Sequence, residues 1–385
     1  MRARELGLHI GLLDPGEHDA ITDVPGVLVG HTTLIEGEGP LVVGRGPVRT
    51  GVTVVIPHPG DVWTDPVFAG CHRLNGNGEL TGLEWVRESG FLGGAIGITN
   101  THSVGVVRDA FVAHAAGAHH QDAVFWSLPV VGETYDGGLN DINGFHVRPA
   151  HVDAALAAAG GGPVEEGNVG GGTGTVCHEF KGGIGTASRV VAAGDGGWTM
   201  GVLVQANYGE REQLRIDGVP VGQAIPVTDV PSPYRDDEAD SDRPRPDPGS
   251  GSIIIVVATN APLLPHQCER IALRAGLGLA RMGSTANHSS GDLVLAFATG
   301  NRGLPGADEP SASAPGVIEL RMVPDNRLTP LFKATVEATE AAILNALLAA
   351  ETMTGRDGIT AHALDHDRLL DVMARYGRGP RADAG

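Results

Sequence analysis

Two β-branched runs set between turn residues open the chain, Asp23-Val24-Pro25-Gly26-Val27-Leu28-Val29-Gly30-His31-Thr32 and Gly51-Val52-Thr53-Val54-Val55-Ile56-Pro57. Both read as strands. A helix over 81–88 follows, then a buried strand over 95–99. Between Ser103 and Ala116, apolar residues recur at Val104, Val107, Ala110, Phe111 and Ala115, the stripe of an amphipathic helix. An alanine-rich helix is expected over 152–159 and two paired strands over 185–191 and 198–205. From residue 251 the pattern recurs in compact form, with strands over 253–259, 293–298 and 317–323, and helices over 265–280, 330–350 and 365–376. Strands grouped with strands and helices with helices predict antiparallel or mixed sheets covered by helices, an α/β layered sandwich rather than alternating βαβ units.

The segment from Pro231 to Gly249 breaks this pattern. It is rich in proline, acidic residues and arginine and has almost no apolar side chains, so it cannot bury enough surface to offset chain entropy. A mobile, protease-accessible tether is therefore expected over 231–250. It ends abruptly at Gly251-Ser252, followed at once by Ile253-Ile254-Ile255-Val256-Val257-Ala258-Thr259. That is the layout of a precursor cut before a serine whose freed α-amine serves as general base beside its own hydroxyl. A linker between two ordinary domains would look similar.

Composition narrows the choice of chemistry. With 385 residues, 41% hydrophobic and 19% charged, the chain can bury a large core. A net charge of -19, with Lys181 and Lys333 the only lysines, leaves no basic patch for a phosphate backbone, so nucleic acid and anionic membranes are not expected partners. Cys71, Cys177 and Cys268 form no C-x-x-C pair, which suggests neither a disulfide framework nor a zinc site and fits a reducing, cytoplasmic compartment. The N-terminal segment carries Glu5 and Asp14-Pro15-Gly16 and lacks the apolar stretch of a signal peptide. No run of about 18 apolar residues is present for a spanning helix. The 58 glycines cluster between apolar segments and read as tight turns.

No G-x-S-x-G elbow, H-E-x-x-H, Walker A or complete G-x-G-x-x-G sequence occurs. Gly170-Gly171-Gly172-Thr173-Gly174-Thr175 lacks the lysine and context of a phosphate loop and reads better as a backbone turn lining a pocket. His178-Glu179 and the sixteen histidines show no metal spacing, so no metal or cofactor is expected. Asn287-His288-Ser289-Ser290-Gly291-Asp292 would bring polar side chains to a strand mouth, as an ordinary Asx or Ser turn also would. Glu133-Thr134-Tyr135-Asp136-Gly137 and Asn140-Asp141-Ile142-Asn143-Gly144 place acidic, amide and phenol groups in two turns, and Asn207 follows a strand whose end could present its amide.

Ala20-Ile21-Thr22-Asp23-Val24-Pro25-Gly26-Val27 with Val29-Gly30-His31, Glu133-Thr134-Tyr135-Asp136-Gly137, Leu139-Asn140-Asp141-Ile142-Asn143-Gly144, Gly170-Gly171-Gly172-Thr173-Gly174, Gln205-Ala206-Asn207-Tyr208-Gly209, Gly251-Ser252-Ile253-Ile254-Ile255, Ala261-Pro262-Leu263 and Ser290-Gly291-Asp292 resemble successive blocks of the DmpA/BapA family, the L-aminopeptidase D-Ala-esterase/amidases and β-peptidyl aminopeptidases. The resemblance runs in the family's order from about Gly11 to the last long helix. It implies a single domain over 1–385 with a four-layer α/β/β/α sandwich like that of N-terminal-nucleophile hydrolases. It also implies self-cleavage at a Gly-Ser bond into an α chain, 1–251, and a β chain, 252–385, assembled as a tetramer of processed heterodimers. Carried over residue by residue, Ser252 matches the nucleophile, Asn207 the oxyanion-hole amide, Tyr135 an active-site phenol, Ser290 and Asp292 the serine and acid near the nucleophile, and Glu133 a glutamate near the substrate's amino group. Expected substrates are small peptides, amides or esters.

Two features depart from the family pattern or leave it ambiguous. The tandem pairs Gly249-Ser250 and Gly251-Ser252 leave two possible cut sites, and the start of the strand favours Ser252. His288 adds a titratable neighbour to Ser290. The competing readings are an acyl transferase of the ornithine acetyltransferase type, against which the serine argues since those use threonine, and a binding scaffold with a nickable loop.

Overall fold

The computed structural model describes residues 1–120, 125–234, 251–306 and 316–380. The tether expected over 231–250 lies outside the described residues from position 235 onward. The strands are β1 (Leu28–Glu36), β2 (Val48–Ile56), β3 (Val67–Gly76), β4 (Phe91–Leu92), β5 (Ile96–Asn100), β6 (Val130–Thr134), β7 (Val176–Cys177), β8 (Phe180–Lys181), β9 (Gly183–Val190), β10 (Thr199–Asn207), β11 (Ser252–Thr259) and β12 (Gly291–Ala298). The helices that cover them are α1 (Leu83–Ser89), α2 (Val104–Ala118), α3 (Pro149–Ala157), α4 (Val221–Ala224), α5 (Pro265–Arg281), α6 (Thr329–Ala349) and α7 (His366–Arg375).

Of the two main sheets, one has four strands in the order β1-β2-β5-β6 and the other six in the order β4-β3-β12-β11-β10-β9, while β7 pairs with β8 and Met353–Thr354 with Thr360–Ala361 in two small separate ladders. Both main sheets are mixed: β5 runs parallel to β6 and β11 parallel to β12, while the other neighbours are antiparallel. The continuous apolar run of β11 follows from burial on both faces. Ile254, Val256 and Ala258 join Ile96, Ile98, Leu203 and Leu295 in the core between the sheets. Ile253, Ile255 and Val257 join Ile271, Ala275, Ala338 and Ala342 of α5 and α6. On the far side, Val52, Val54 and Val131 pack against Val107 and Phe111 of α2 and Val152 of α3. The layers are therefore α/β/β/α, as the sequence resemblance implied. Burying a side chain the size of Ile254 contributes about 1.5–3 kcal/mol, so the inter-sheet core fixes the register of the strands that carry the site.

A polar tie crosses the core near one end. Gln205 of β10 donates through Nε2 to the Thr99 carbonyl of β5 (2.9 Å) and to Thr134 Oγ1 of β6 (2.8 Å). It locks the end of β10 to the opposite sheet.

Three expectations need correction. Residues 317–323 form no strand: Val317, Ile318, Leu320 and Met322 are exposed, and the segment is tied by Val323 N–H to the Pro262 carbonyl and by Arg321 N–H to Asn301 Oδ1. Its β-branched composition has no sheet edge to pair with. β3 was not foreseen, because Gly70, His72, Arg73, Asn75 and Gly76 dilute its apolar pattern, yet pairing with β12 and β4 makes it an interior strand. β6 was not foreseen either, and Glu133 and Thr134, expected in a turn, close that strand. Among the described residues, no helix is long and apolar enough to cross a membrane.

Candidate active site

The end of β10 and the starts of β11 and β12 meet at one edge of the six-stranded sheet. Asn207 lies directly opposite Ser252 across the β10/β11 ladder, and Ser252 lies beside Gly291 of β12. The local sequence explains the junction: the isoleucine and valine run holds β11 in the core, so its first residue is held at the sheet's end. Ser252 is buried. Its Oγ accepts a hydrogen bond from the Gly291 N–H (3.3 Å), and the same N–H donates to the Gly251 carbonyl oxygen (3.1 Å). The hydroxyl and the carbonyl preceding it are thus held by one donor.

Asn207 is held by both ends of its amide. Its Oδ1 accepts from the Val176 N–H (2.8 Å) and its Nδ2 donates to the Tyr135 carbonyl (2.9 Å). A side-chain amide carries two N–H groups, and the bond to the Tyr135 carbonyl uses one of them. Tyr135 contributes through its backbone in this arrangement. Its side chain is exposed and lies over Gly137, where an added Cβ would meet the hydroxyl oxygen. Burial raises the phenol's pKa, with Asp136 adding to the shift and Arg356 opposing it.

Ser290 and Asp292 flank Gly291. Ser290 Oγ donates to Asp292 Oδ1 (2.6 Å), and Asp292 Oδ2 has no hydrogen-bond partner among the described residues. Burial pushes the Asp292 carboxyl up to about 6, against the pull of the Ser290 hydroxyl. These two groups are bonded to each other rather than to Ser252 Oγ. Glu133, at the end of β6 on the facing sheet, accepts from Thr101 Oγ1 (2.5 Å) and from the Glu79 N–H (3.1 Å). Burial raises its pKa while those two bonds lower it. Gly78 lies against both halves of the site, since a Cβ there would stand 3.0 Å from Glu133 Oε1 and 3.4 Å from Gly291 Cα.

All six sequence-predicted side chains therefore belong to one end of the sandwich, and the Gly170–Gly172 turn is buried, with Gly171 against the Gln205 side chain. Sequence reasoning missed the donors that hold the set: the N–H groups of Gly291, Val176 and Glu79, and the hydroxyl of Thr101. Backbone groups leave no residue-type signal. His178 and Glu179 face inward but bond to backbone, His178 Nδ1 to the Glu210 carbonyl and Glu179 Oε1 to the Arg211 N–H. Among the described residues, no group of three or more His, Cys, Asp or Glu side chains could hold a metal.

A buried serine hydroxyl, a carbonyl immediately before it and a clamped amide opposite are the parts of acyl-transfer chemistry. Known proteins bear on which acyl transfer this is. β-Peptidyl aminopeptidase BapA of Sphingosinicella microcystinivorans is 48% identical over 377 residues, covering 98% of this chain and 93% of that protein. Among solved structures, a Burkholderia sp. β-aminopeptidase superposes with a TM-score of 0.88 at 53% identity, covering 98% of this chain and 99% of that one. The L-aminopeptidase D-Ala-esterase/amidase of Ochrobactrum anthropi, a variant of the Ntn hydrolase fold, superposes with a TM-score of 0.86 at 44% identity, covering 98% and 99%. The profile of peptidase family S58 matches residues 19–361, a span that holds every site residue described above. The chain belongs to peptidase family S58.

Proposed function

We propose that the protein is a self-processing aminopeptidase and amidase with Ser252 as an N-terminal nucleophile, releasing small N-terminal residues, β-amino acids among them, from peptides, amides or esters. The observation that carries the reading is the opposition of Ser252 and the clamped Asn207 amide across one strand pair. Similarity to two β-aminopeptidases supports the inclusion of β-amino acids. It also sets aside the acyl-transferase alternative.

In the precursor, Ser252 Oγ adds to the Gly251 carbonyl carbon and the Gly251–Ser252 C–N bond breaks. The product is an ester and a free Ser252 amine, and water then opens the ester to release the Gly251 carboxylate. Ser252 is preferred over Ser250 because β11 begins at Ser252. In turnover, the freed amine takes the Oγ proton as Oγ attacks the substrate carbonyl. The remaining Asn207 N–H meets the oxyanion, the leaving amine collects the proton, and water hydrolyses the acyl-enzyme. Ser290 and Asp292, bonded to each other beside Gly291, supply a carboxylate whose charge favours the protonated Ser252 amine formed as Oγ attacks. Glu133 receives the substrate's ammonium, whose charge favours the carboxylate that burial opposes.

The reading includes a cytoplasmic location, in keeping with three unpaired cysteines. It also includes an oligomer, for which the exposed apolar side chains of Val317, Ile318, Leu320 and Met322 offer a surface. Intact mass and N-terminal sequencing of the wild type and Ser252→Ala test it, with turnover of β-alanine, L-alanine and D-alanine amides. Two chains in the wild type, the second starting at Ser252, one chain in the variant, and amide turnover only in the cut form are expected. An uncut, inactive wild type would remove the free amine and the mechanism with it.

A further inference from the structure

Behind the Asn207 clamp lie two charged side chains that the mechanism does not use. Lys181, the last residue of β8, is fully buried. Its Nζ donates to the Gly182 carbonyl (2.7 Å) and the Gly172 carbonyl (3.2 Å). Asp136, next in sequence to Tyr135, is also buried. Its Oδ1 accepts from Asn140 Nδ2 (2.9 Å), while its Oδ2 has no hydrogen-bond partner among the described residues. Each group feels the cost of leaving water. Burial lowers the Lys181 ammonium to about 7, with Cys177 and Asp136 opposing, and raises the Asp136 carboxyl to about 7, with the polar side chains of Thr50, Asn140 and Asn100 opposing.

Their placement ties both to the two groups that hold the amide. The Asn207 amide hangs between the Tyr135 carbonyl and the Val176 N–H. Asp136 adjoins the first of these by one peptide bond. Lys181 pairs with Val176 across the β7/β8 ladder, and its ammonium ties down Gly172, where the run to Val176 begins. The two sides touch at Gly174, where a Cβ would stand 3.0 Å from Asp136 Cβ and 2.2 Å from the Arg49 carbonyl. Asp136 therefore packs directly on the segment that Lys181 anchors.

We propose that Lys181 and Asp136 together brace the two backbone groups that hold the Asn207 amide, and so set the rate of turnover rather than the affinity for substrate. This rests on the reading of Asn207 as the oxyanion donor. Neither side chain touches substrate; both act through the Tyr135 carbonyl and the Val176 N–H. Residues that act as one unit lose function non-additively.

The test uses the full chain as Lys181→Met, Asp136→Asn and the double variant. Readouts are kcat and KM on a small amino-acid amide and hydrogen exchange of the Val176 amide. In each single variant kcat falls about ten- to a hundredfold, as expected of an oxyanion donor displaced by up to about 1 Å. KM stays within about twofold, exchange at Val176 speeds up by about tenfold or more, and the double variant loses no more than the worse single. Unchanged kcat and unchanged exchange, a rise in KM at constant kcat, or losses that multiply in the double variant would overturn the proposal. Should Lys181→Met fail to fold, Asp136→Asn with the same readouts decides. A wild type that does not turn over the amide would sink the Asn207 reading, and the exchange comparison then decides the pair by itself.

Discussion

Replacing Gly251 with alanine probes the self-cleavage step through a single methyl group. A Cβ at Gly251 would stand 2.0 Å from the Asn207 carbonyl oxygen and 3.0 Å from Tyr208 Cα, whereas ordinary contact begins at 3.4 Å. The obstacle is backbone on an interior strand, so it cannot swing aside as a flexible side chain would. Relief requires Gly251 to move by roughly 1 Å or more, carrying its carbonyl away from both Ser252 Oγ and the Gly291 N–H. A displacement of that size costs about a hundredfold in an oriented reaction. The assay follows the fraction of cut chain against time by denaturing electrophoresis and intact mass after refolding, with Gly249→Ala as the control. The expected result is a control cut at the wild-type rate and a Gly251→Ala chain cut on the order of a hundredfold more slowly. Cleavage of Gly251→Ala at the wild-type rate before Ser252 would refute the idea that close approach to Asn207 sets the scissile geometry.

Asn207→Ala should lower kcat by about 10²–10³ with little change in KM, the effect of removing one oxyanion donor; steady-state kinetics on the cut variant would check it, and a KM effect alone would contradict the assignment. The Asp292 carboxyl, held at about 6 by burial, is above its ordinary 3.8. The folded state therefore disfavours its charge, a cost on the order of 3 kcal/mol that is present above pH 6, shrinks as pH falls, and is gone below 3.8. kcat/KM should therefore fall as pH drops through about 6, and Asp292→Asn should abolish that fall. Glu133→Gln should raise KM for amides bearing a free amine by about tenfold while sparing N-acetylated ester analogues. Equal losses on both substrate types would remove Glu133 from ammonium recognition.

Much of the fold was legible where side chains alternate between two cores. β11 reads as a continuous apolar run because both of its faces are covered, and α2 shows its stripe because only one face is. β3 was hidden because His72, Arg73 and Asn75 give no period-two pattern; the partners that make it a strand are distant in sequence. At the other extreme, 317–323 has strand composition but no edge to join, and propensity alone does not make a ladder. The site residues were legible as a set only through their resemblance to a family, since singly each reads as a turn residue. What joins them is backbone: the N–H groups of Gly291 and Val176 and the carbonyl of Tyr135 come to one point by sheet register, which depends on the whole sandwich.

The order β4-β3-β12-β11-β10-β9 has a mechanical meaning for a chain broken before Ser252. The two strands that follow the break are threaded between pairs that precede it, with β10 zipped along one flank and β3 along the other. Severing one peptide bond there yields fragments that stay interlocked like interlaced fingers. They can part only by tearing two full ladders and stripping α6 from β9 and β10, which amounts to unfolding. Scission there would thus mark the chain permanently without separating its two parts.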